Sequence, residues 1–190
     1  MRQTTFSRLD TRFIERWSPR AFLPDKLSHE ELMTLFEAAR WSPSCFNEQP
    51  WHFVYAVSEE DLKRFQSVLT DKNRSWASRA PVLIIAFSRR QFRKNGKPNR
   101  WADFDTGSAW MALALQANRL GLHCHAMGGF DQDKAYEVTG VDPDEYNAIC
   151  VIALGRRADA DVLPEDLRER ETPSDRNPLD DMITEGSMSR

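Results

Sequence analysis

Residues Val82 to Phe87 form an unbroken apolar run, Val-Leu-Ile-Ile-Ala-Phe, opened by Pro81. This is the length of a strand and far short of the roughly 20 residues that cross a bilayer. Apolar side chains at every position mean that both faces of the strand are covered, so it is central to a sheet. The rest of the chain has to supply the cover.

The flanking sequence supplies helices and further strands. Ser28 and Glu31 form a capping-box pair, with Leu27 and Leu32 placed as a hydrophobic staple, ahead of the face Leu32, Leu35, Phe36 and Ala39. His52 to Val57 reads as a strand, and Ser58 with Asp61 starts a helix carrying Leu62, Phe65 and Leu69. Phe104 to Leu120 is a long helix, apolar around much of its circumference, and Gly121 stops it. His123 to Met127 is a short extended piece, Asp131 caps a helix to about Thr139, and Asn147 to Leu154 is a last strand. Phe6, Leu9, Phe13, Ile14 and Trp17 recur at helical spacing, which predicts a first helix over Phe6 to Trp17 ended by Pro19. This alternation predicts an α/β or α+β sandwich in one domain, residues 1–190.

Composition narrows the function. The formal net charge of -3 gives no general electrostatic reason to bind nucleic acid. No signal-peptide pattern opens the chain, and the expectation is a soluble, cytoplasmic protein without a membrane partner. Arg2, Arg8, Arg12, Arg16 and Arg20 superficially resemble a transit peptide, but Asp10 and Glu15 interrupt them. Cys45, Cys124 and Cys150 are an odd number without zinc-type spacing, so neither a disulfide framework nor a metal site is expected. His123-Cys124-His125 would alternate along a strand and finds no further ligands nearby.

Residues 155–190 are dense in charge, interrupted by Pro164, Pro173 and Pro178, and carry scattered anchors: Leu163, Leu167, Leu179, Met182 and Ile183. So long a structureless segment is uncommon inside a compact domain. It is either disordered or an arm laid across another subunit, and the anchors favour the arm.

Three constellations carry chemistry. Ala38 to Phe53 runs from a helix end through Pro43, Ser44, Cys45, Asn47 and Gln49, polar and small residues of little core value, into a strand. Such a loop between regular elements is a usual place for a small-molecule site. Arg16-Trp17-Ser18-Pro19-Arg20 sets two guanidiniums and a hydroxyl around a helix end, the forked donors that phosphate takes. Gly128-Gly129 lets main-chain N–H groups approach a flat ligand, or simply makes a tight turn. No Gly-x-Gly-x-x-Gly or P-loop pattern is present.

Taken in order, these pieces resemble the nitroreductase family of flavin mononucleotide (FMN) enzymes. The resemblance runs through Arg16-x-Ser18-x-Arg20 and Ala39-Arg40-Trp41-Ser42-Pro43-Ser44-x-x-Asn47-x-Gln49-Pro50-Trp51. It continues with Asn73-x-x-Trp76, Ala80-Pro81 and the central strand, Asp105-x-Gly107, Gly121-Leu122 and Met127-Gly128-Gly129-Phe130-Asp131. It closes on Ala153-Leu154-Gly155 and Arg176-x-Pro178-Leu179.

The resemblance implies an α+β nitroreductase-like fold: a mainly antiparallel sheet flanked by helices, with the arm of residues 155–190 exchanged across a homodimer. Two FMN sites would lie at the subunit interface. Arg16, Ser18 and Arg176 would hold the phosphate, beside Trp17, and Arg20 would stand at the N1/O2 edge of the ring. Pro43, Ser44, Cys45 and Asn47 would line the ring and ribityl chain from the other subunit. Asn73 would reach the pyrimidine edge, and Gly128 and Gly129 would bring N–H groups toward N5 and O4. The chemistry would then be FMN's, with no catalytic side chain. NADH or NADPH would serve as transient hydride donor and a nitroaromatic, quinone or similar flat molecule as acceptor. A flavin-holding or sensing protein without rapid turnover, or a specialised flavin oxidase or dehydrogenase, are the alternatives. Two departures stand out: Ser174 occupies a position where relatives carry a second basic residue, and Cys45 replaces a more usual Ser.

Overall fold

A computed structural model of the chain describes residue 2 and residues 4–188. Four strands, β1 (Trp51–Ala56), β2 (Val82–Arg89), β3 (His123–Met127) and β4 (Tyr146–Gly155), form one sheet in the order β1-β2-β4-β3. Every neighbouring pair is antiparallel, which selects α+β over α/β. The apolar run lies in β2, an inner strand, with every residue from Val82 to Phe87 exposed by 1% or less.

The pleat sorts that run into two cores. Val82, Ile84 and Ala86 face one layer with Leu32, Leu35, Leu113, Leu122, Ile152 and Leu154. Leu83, Ile85 and Phe87 face the other with Phe22, Phe65, Leu69, Trp76, Val151 and Ala153. Each such side chain contributes roughly 1.5–3 kcal/mol of hydrophobic burial, so covering both faces is the main stabilising term. On the first face lie α2 (His29–Arg40) and α5 (Ala102–Arg119). On the second lie α3 (Glu59–Gln66), α4 (Asp71–Ala77) and α6 (Gln132–Thr139). Local signals mark their ends. Ser28 and Glu31 make the reciprocal capping box of α2, Ser58 caps α3, Asp131 caps α6, and Gly140 stops α6 at φ 69°. Gly155 ends β4 where a Cβ would stand 2.7 Å from Pro81 Cδ, so only a bare Cα passes there.

Three expectations need correction. The first helix is a single turn, α1 (Arg12–Glu15), not Phe6 to Trp17. Phe6, Leu9 and Phe13 are 60%, 41% and 49% exposed, and only Trp17 is buried. Within one chain that apolar stripe has nothing to pack on, and a short amphipathic helix does not hold without packing. Conversely, α4 was unforeseen: its N-terminal Thr70 makes no side-chain cap, because its hydroxyl turns to Gly129 O instead. The central strand also runs past the apolar stretch Val82 to Phe87, since Ser88 and Arg89 extend β2.

The tail divides in two. Its first part docks on the second core layer through Leu163 and Leu167, 3% and 2% exposed, the latter in α7 (Glu165–Arg168). Every residue from 172 to 188 is exposed, Leu179, Met182 and Ile183 among them. Among the described residues no helix is long and apolar enough to cross a membrane.

Candidate functional site

After α1 the chain runs extended beside the sheet. Leu23 N donates to Arg156 O and Ala158 N to Ala21 O, and the fully buried Ala21 and Phe22 fix the segment in the core. Residues just before this anchor are thereby presented at a polar hollow of about 420 Å³. Arg16, Trp17, Ser18, Arg20 and Arg176 line it, as do Arg2, Arg170, Thr172, Ser174 and His125.

Five arginines in one hollow repel one another. Arg20 Nη1 lies 3.8 Å from Glu171 Oε2, but among the described residues no carboxylate comes within 4.0 Å of the Arg2, Arg16, Arg170 or Arg176 guanidiniums. The Arg16 guanidinium is held below its usual pKa by burial first and then by the charges of Arg176 and Arg2. Arg2 is lowered likewise, by burial and then Arg176. An anion relieves that repulsion, and the hydroxyl of Ser18, 3.4 Å from Arg16 Nη1, adds a neutral donor. Arg2 spans the wall: Nε donates to Ser174 O at 2.8 Å, and Nη1 donates to Ile14 O and Arg16 O at 3.0 and 2.9 Å. Arg2 thus brings a cation beside Ser174 from the other end of the chain.

Arg20 is set from behind. Glu171, its side chain 3% exposed, accepts hydrogen bonds from Arg20 N and Ala21 N at 2.7 and 2.9 Å. The tail therefore fixes both the main chain and the guanidinium of Arg20. Beneath the hollow, a ring nitrogen of His125 is 2.9 Å from Pro19 O, and the ring stacks obliquely on Trp76 at 4.6 Å.

His52, His123 and His125 all have lowered pKa values, chiefly through burial and then through neighbouring arginine charge: Arg89 for His52, Arg157 and Arg16 for His123, Arg20 for His125. The fold holds them neutral, while the unfolded chain takes up protons as pH falls through the ordinary value of 6.5. Their stabilising contribution is complete above that value and lost below it. The urea midpoint of FMN-free protein should therefore drop between about pH 7.5 and about pH 5.5, above the range of most carboxylates. An unchanged midpoint would show that these rings protonate freely in the folded state.

Asn73 and Gly129 meet. Asn73 Nδ2 donates to Gly129 O at 2.9 Å, and a Cβ on Gly129 would lie 2.8 Å from that nitrogen and 3.3 Å from Thr70 Oγ1. Gly128 has nothing within 4 Å of its Cβ position. The two glycines are thus unlike: Gly129 is bare because α4 presses on it, and Gly128 is open. Gly129→Ala should cost about 1–3 kcal/mol through displacement of Asn73, while Gly128→Ala should not be limited by packing. Denaturant melts of the two variants check this.

The loop after α2 forms a third group. Cys45 N donates to Asp105 Oδ2 at 3.0 Å, from a buried aspartate on α5, and Ser44 Oγ accepts from Gln49 N at 2.9 Å. Phe46, Asn47 and Gln49 are held at φ 53°, 56° and 50°, left-handed conformations that non-glycine residues adopt at a cost of about 1–2 kcal/mol each. Pro43, Ser44 and Cys45 line a shallow hollow of about 270 Å³ with Trp101, Phe104, Asp105 and Ser108. Among the described residues none lines both this hollow and the arginine hollow. Within one chain the site residues therefore fall into separate clusters. Arg2, Arg170, Glu171 and Asp105 were not singled out as site residues from sequence; only Asp105 lay in a quoted pattern.

Cys124 is buried with its thiol pKa pushed up, and burial pushes that of Cys150 up to about 11. Both thiols are thereby held protonated, the form that is a poor nucleophile. Among the described residues no three of His, Cys, Asp and Glu gather as metal ligands.

An antiparallel sheet covered on both faces, with a hollow of five arginines beside an edge strand, defines an α+β protein with positive charge concentrated at one sheet edge. The family model described as the Nitroreductase family matches residues 14–75 and 64–156. The chain belongs to the nitroreductase family and is an oxidoreductase of that family. A solved structure of an oxidoreductase containing FMN is 41% identical, with a TM-score of 0.93 over 99% of this chain and 96% of its own. A nitroreductase family protein of Clostridium difficile, 21% identical, shares the fold with a TM-score of 0.72 over 93% of this chain and 97% of its own. The oxygen-insensitive NADPH nitroreductase of Helicobacter acinonychis is 27% identical over 68% of this chain and 78% of that protein.

Proposed function

We propose that two copies of this chain enclose FMN and use it to pass hydride from NADH or NADPH to a nitroaromatic, quinone or similar flat acceptor. The observation that carries this reading is the hollow of five arginines, four of them without a carboxylate partner among the described residues, on a chain whose ring-lining loop opens elsewhere. The residues present fit a phosphorylated planar cofactor. Arg16, Ser18 and Arg176, joined by Arg2, take the phosphate; Arg20, backed by Glu171, brings positive charge to the N1/O2 edge; Asn73 stands near the pyrimidine edge beside Gly128 and Gly129.

A second copy supplies Pro43, Ser44, Cys45 and Asn47 to cover the ring. Two apolar features support that partner: the exposed stripe Phe6, Leu9 and Phe13, and the exposed Leu179, Met182 and Ile183 of the tail. Burying both against a copy of the chain removes apolar surface that a lone chain leaves in water. When bound, FMN supplies hydride acceptance and donation. The protein orients the ring, excludes water from it and stabilises negative charge at the edge that Arg20 faces. The absence of a dinucleotide-binding motif agrees with a donor that only visits the ring face.

The test is anaerobic titration of purified protein with NADH and with NADPH while the flavin band is followed, then turnover with a panel of flat acceptors. Protein that takes up no FMN overturns the reading. Bound FMN that neither nucleotide bleaches would instead mark a flavin-holding protein.

A further inference from the structure

A hollow of about 610 Å³ lies beside the ring-lining loop and shares no lining residue with the arginine hollow or with the hollow of Pro43, Ser44 and Cys45. It is lined by Phe46 and Glu48 from that loop and by Phe92, Lys94, Asn95 and Lys97 from the segment between β2 and α5, with Pro98 at its margin. This segment is a small hairpin. Gln91 bridges Pro98, Phe92 N donates to Lys97 O at 2.9 Å, and Gly96 turns the tip at φ 66°.

Three features give the hollow a chemical character. First, Glu48 is spoken for: its carboxylate accepts from Arg93 N at 2.6 Å and lies 4.0 Å from Arg93 Nε, which bolts the hairpin to the ring loop. Second, among the described residues no carboxylate lies within 4.0 Å of Lys94 or Lys97, so the hollow is left with net positive charge. Third, Phe46 is 91% exposed and held at φ 53°, with its ring edge-on to Phe92 at 6.0 Å. A large apolar ring kept in water by a strained backbone gains nothing for the fold of this chain, and such strain gathers where a ligand is gripped.

We propose that this hollow receives the anionic group of a substrate, a phosphate or carboxylate on a molecule that carries an aromatic ring close beside it. Phe46 and Phe92 meet the ring; Lys94 and Lys97 meet the charge. The inference rests on the oxidoreductase reading, because it places the hollow at the entrance to the ring that Ser44, Cys45 and Asn47 line. Two sources offer this chemistry: the 2′-phosphate end of NADPH, and an acid-bearing aromatic acceptor.

The experiment uses FMN-loaded protein and two matched pairs, NADP⁺ against NAD⁺ and 4-nitrobenzoate against nitrobenzene. Binding is measured by calorimetry, and kcat/KM is measured for NADPH against NADH and for the two acceptors. In at least one pair the anionic member should be preferred. That preference should fall about tenfold in Lys94→Ala/Lys97→Ala, reverse in Lys94→Glu/Lys97→Glu, and weaken with added salt. The pair that responds identifies the source. Ratios that stay unchanged in both pairs, in variants with wild-type melting temperature and flavin content, overturn the proposal. Wild-type protein without flavin would instead fail the oxidoreductase reading, and the calorimetric arm would still report on the hollow.

Discussion

Arg16→Ala/Arg176→Ala is expected to emerge from purification nearly colourless. Each arginine would give a charge-assisted hydrogen bond to phosphate worth about 1.5–3 kcal/mol, so losing both weakens FMN binding by roughly two to four orders of magnitude. The same change should act in the opposite direction on the FMN-free protein. Arg16 carries a pKa lowered by burial and by Arg176 and Arg2, which means that the hollow holds like charges against each other. Removing two of them relieves that repulsion. Thermal melts with and without saturating FMN separate the effects: the variant should equal or exceed wild type without ligand and fall below it with ligand, where wild type gains binding free energy. A double variant that keeps its flavin as wild type does would show that the phosphate lies elsewhere.

Trp76→Ala is the second large effect, on stability and through it on the site. Trp76 is 2% exposed, stacked on Phe22 at 6.4 Å and on His125 at 4.6 Å. Truncating a fully buried tryptophan costs about 3–5 kcal/mol, from lost transfer energy and the cavity left behind. The cavity would open under His125 and the Pro19 carbonyl it meets, so the arginine segment loses its floor. Denaturant midpoints should drop accordingly, and flavin retention should fall with them. Trp101, 42% exposed, is the control: its replacement by Ala should change stability by about 0.5 kcal/mol or less. A cost below about 1 kcal/mol for Trp76→Ala would mean that the core collapses onto the gap, and that the ring is not what supports the hollow.

Much of the architecture was legible residue by residue. The capping box at Ser28 and the stop at Gly121 are short-range signals satisfied within a few residues, and the apolar run of β2 is a local pattern even though its cover comes from far along the chain. They came out where the spacing put them. The first helix failed because its periodicity was real but Phe6, Leu9 and Phe13 stay exposed and so give the helix no packing. The α4 helix was missed because the hydroxyl of Thr70 serves Gly129, 59 residues away, instead of announcing a cap. In the site, Arg16, Ser18, Arg20 and Arg176 were recognisable from ordered patterns. Arg2, Arg170 and Glu171 were not, since nothing local distinguishes them from solvated charges.

The amino-acid order alone was sufficient for a covered sheet and its caps, because those depend on hydrophobic periodicity and on hydrogen bonds spanning a turn or less. Only tertiary structure could decide that residues 2, 16 and 176 confront one another across a single hollow, that Glu171 secures Arg20, and that Pro43, Ser44 and Cys45 open somewhere else. Charge repulsion and desolvation act through space, and separation along the chain carries no record of them.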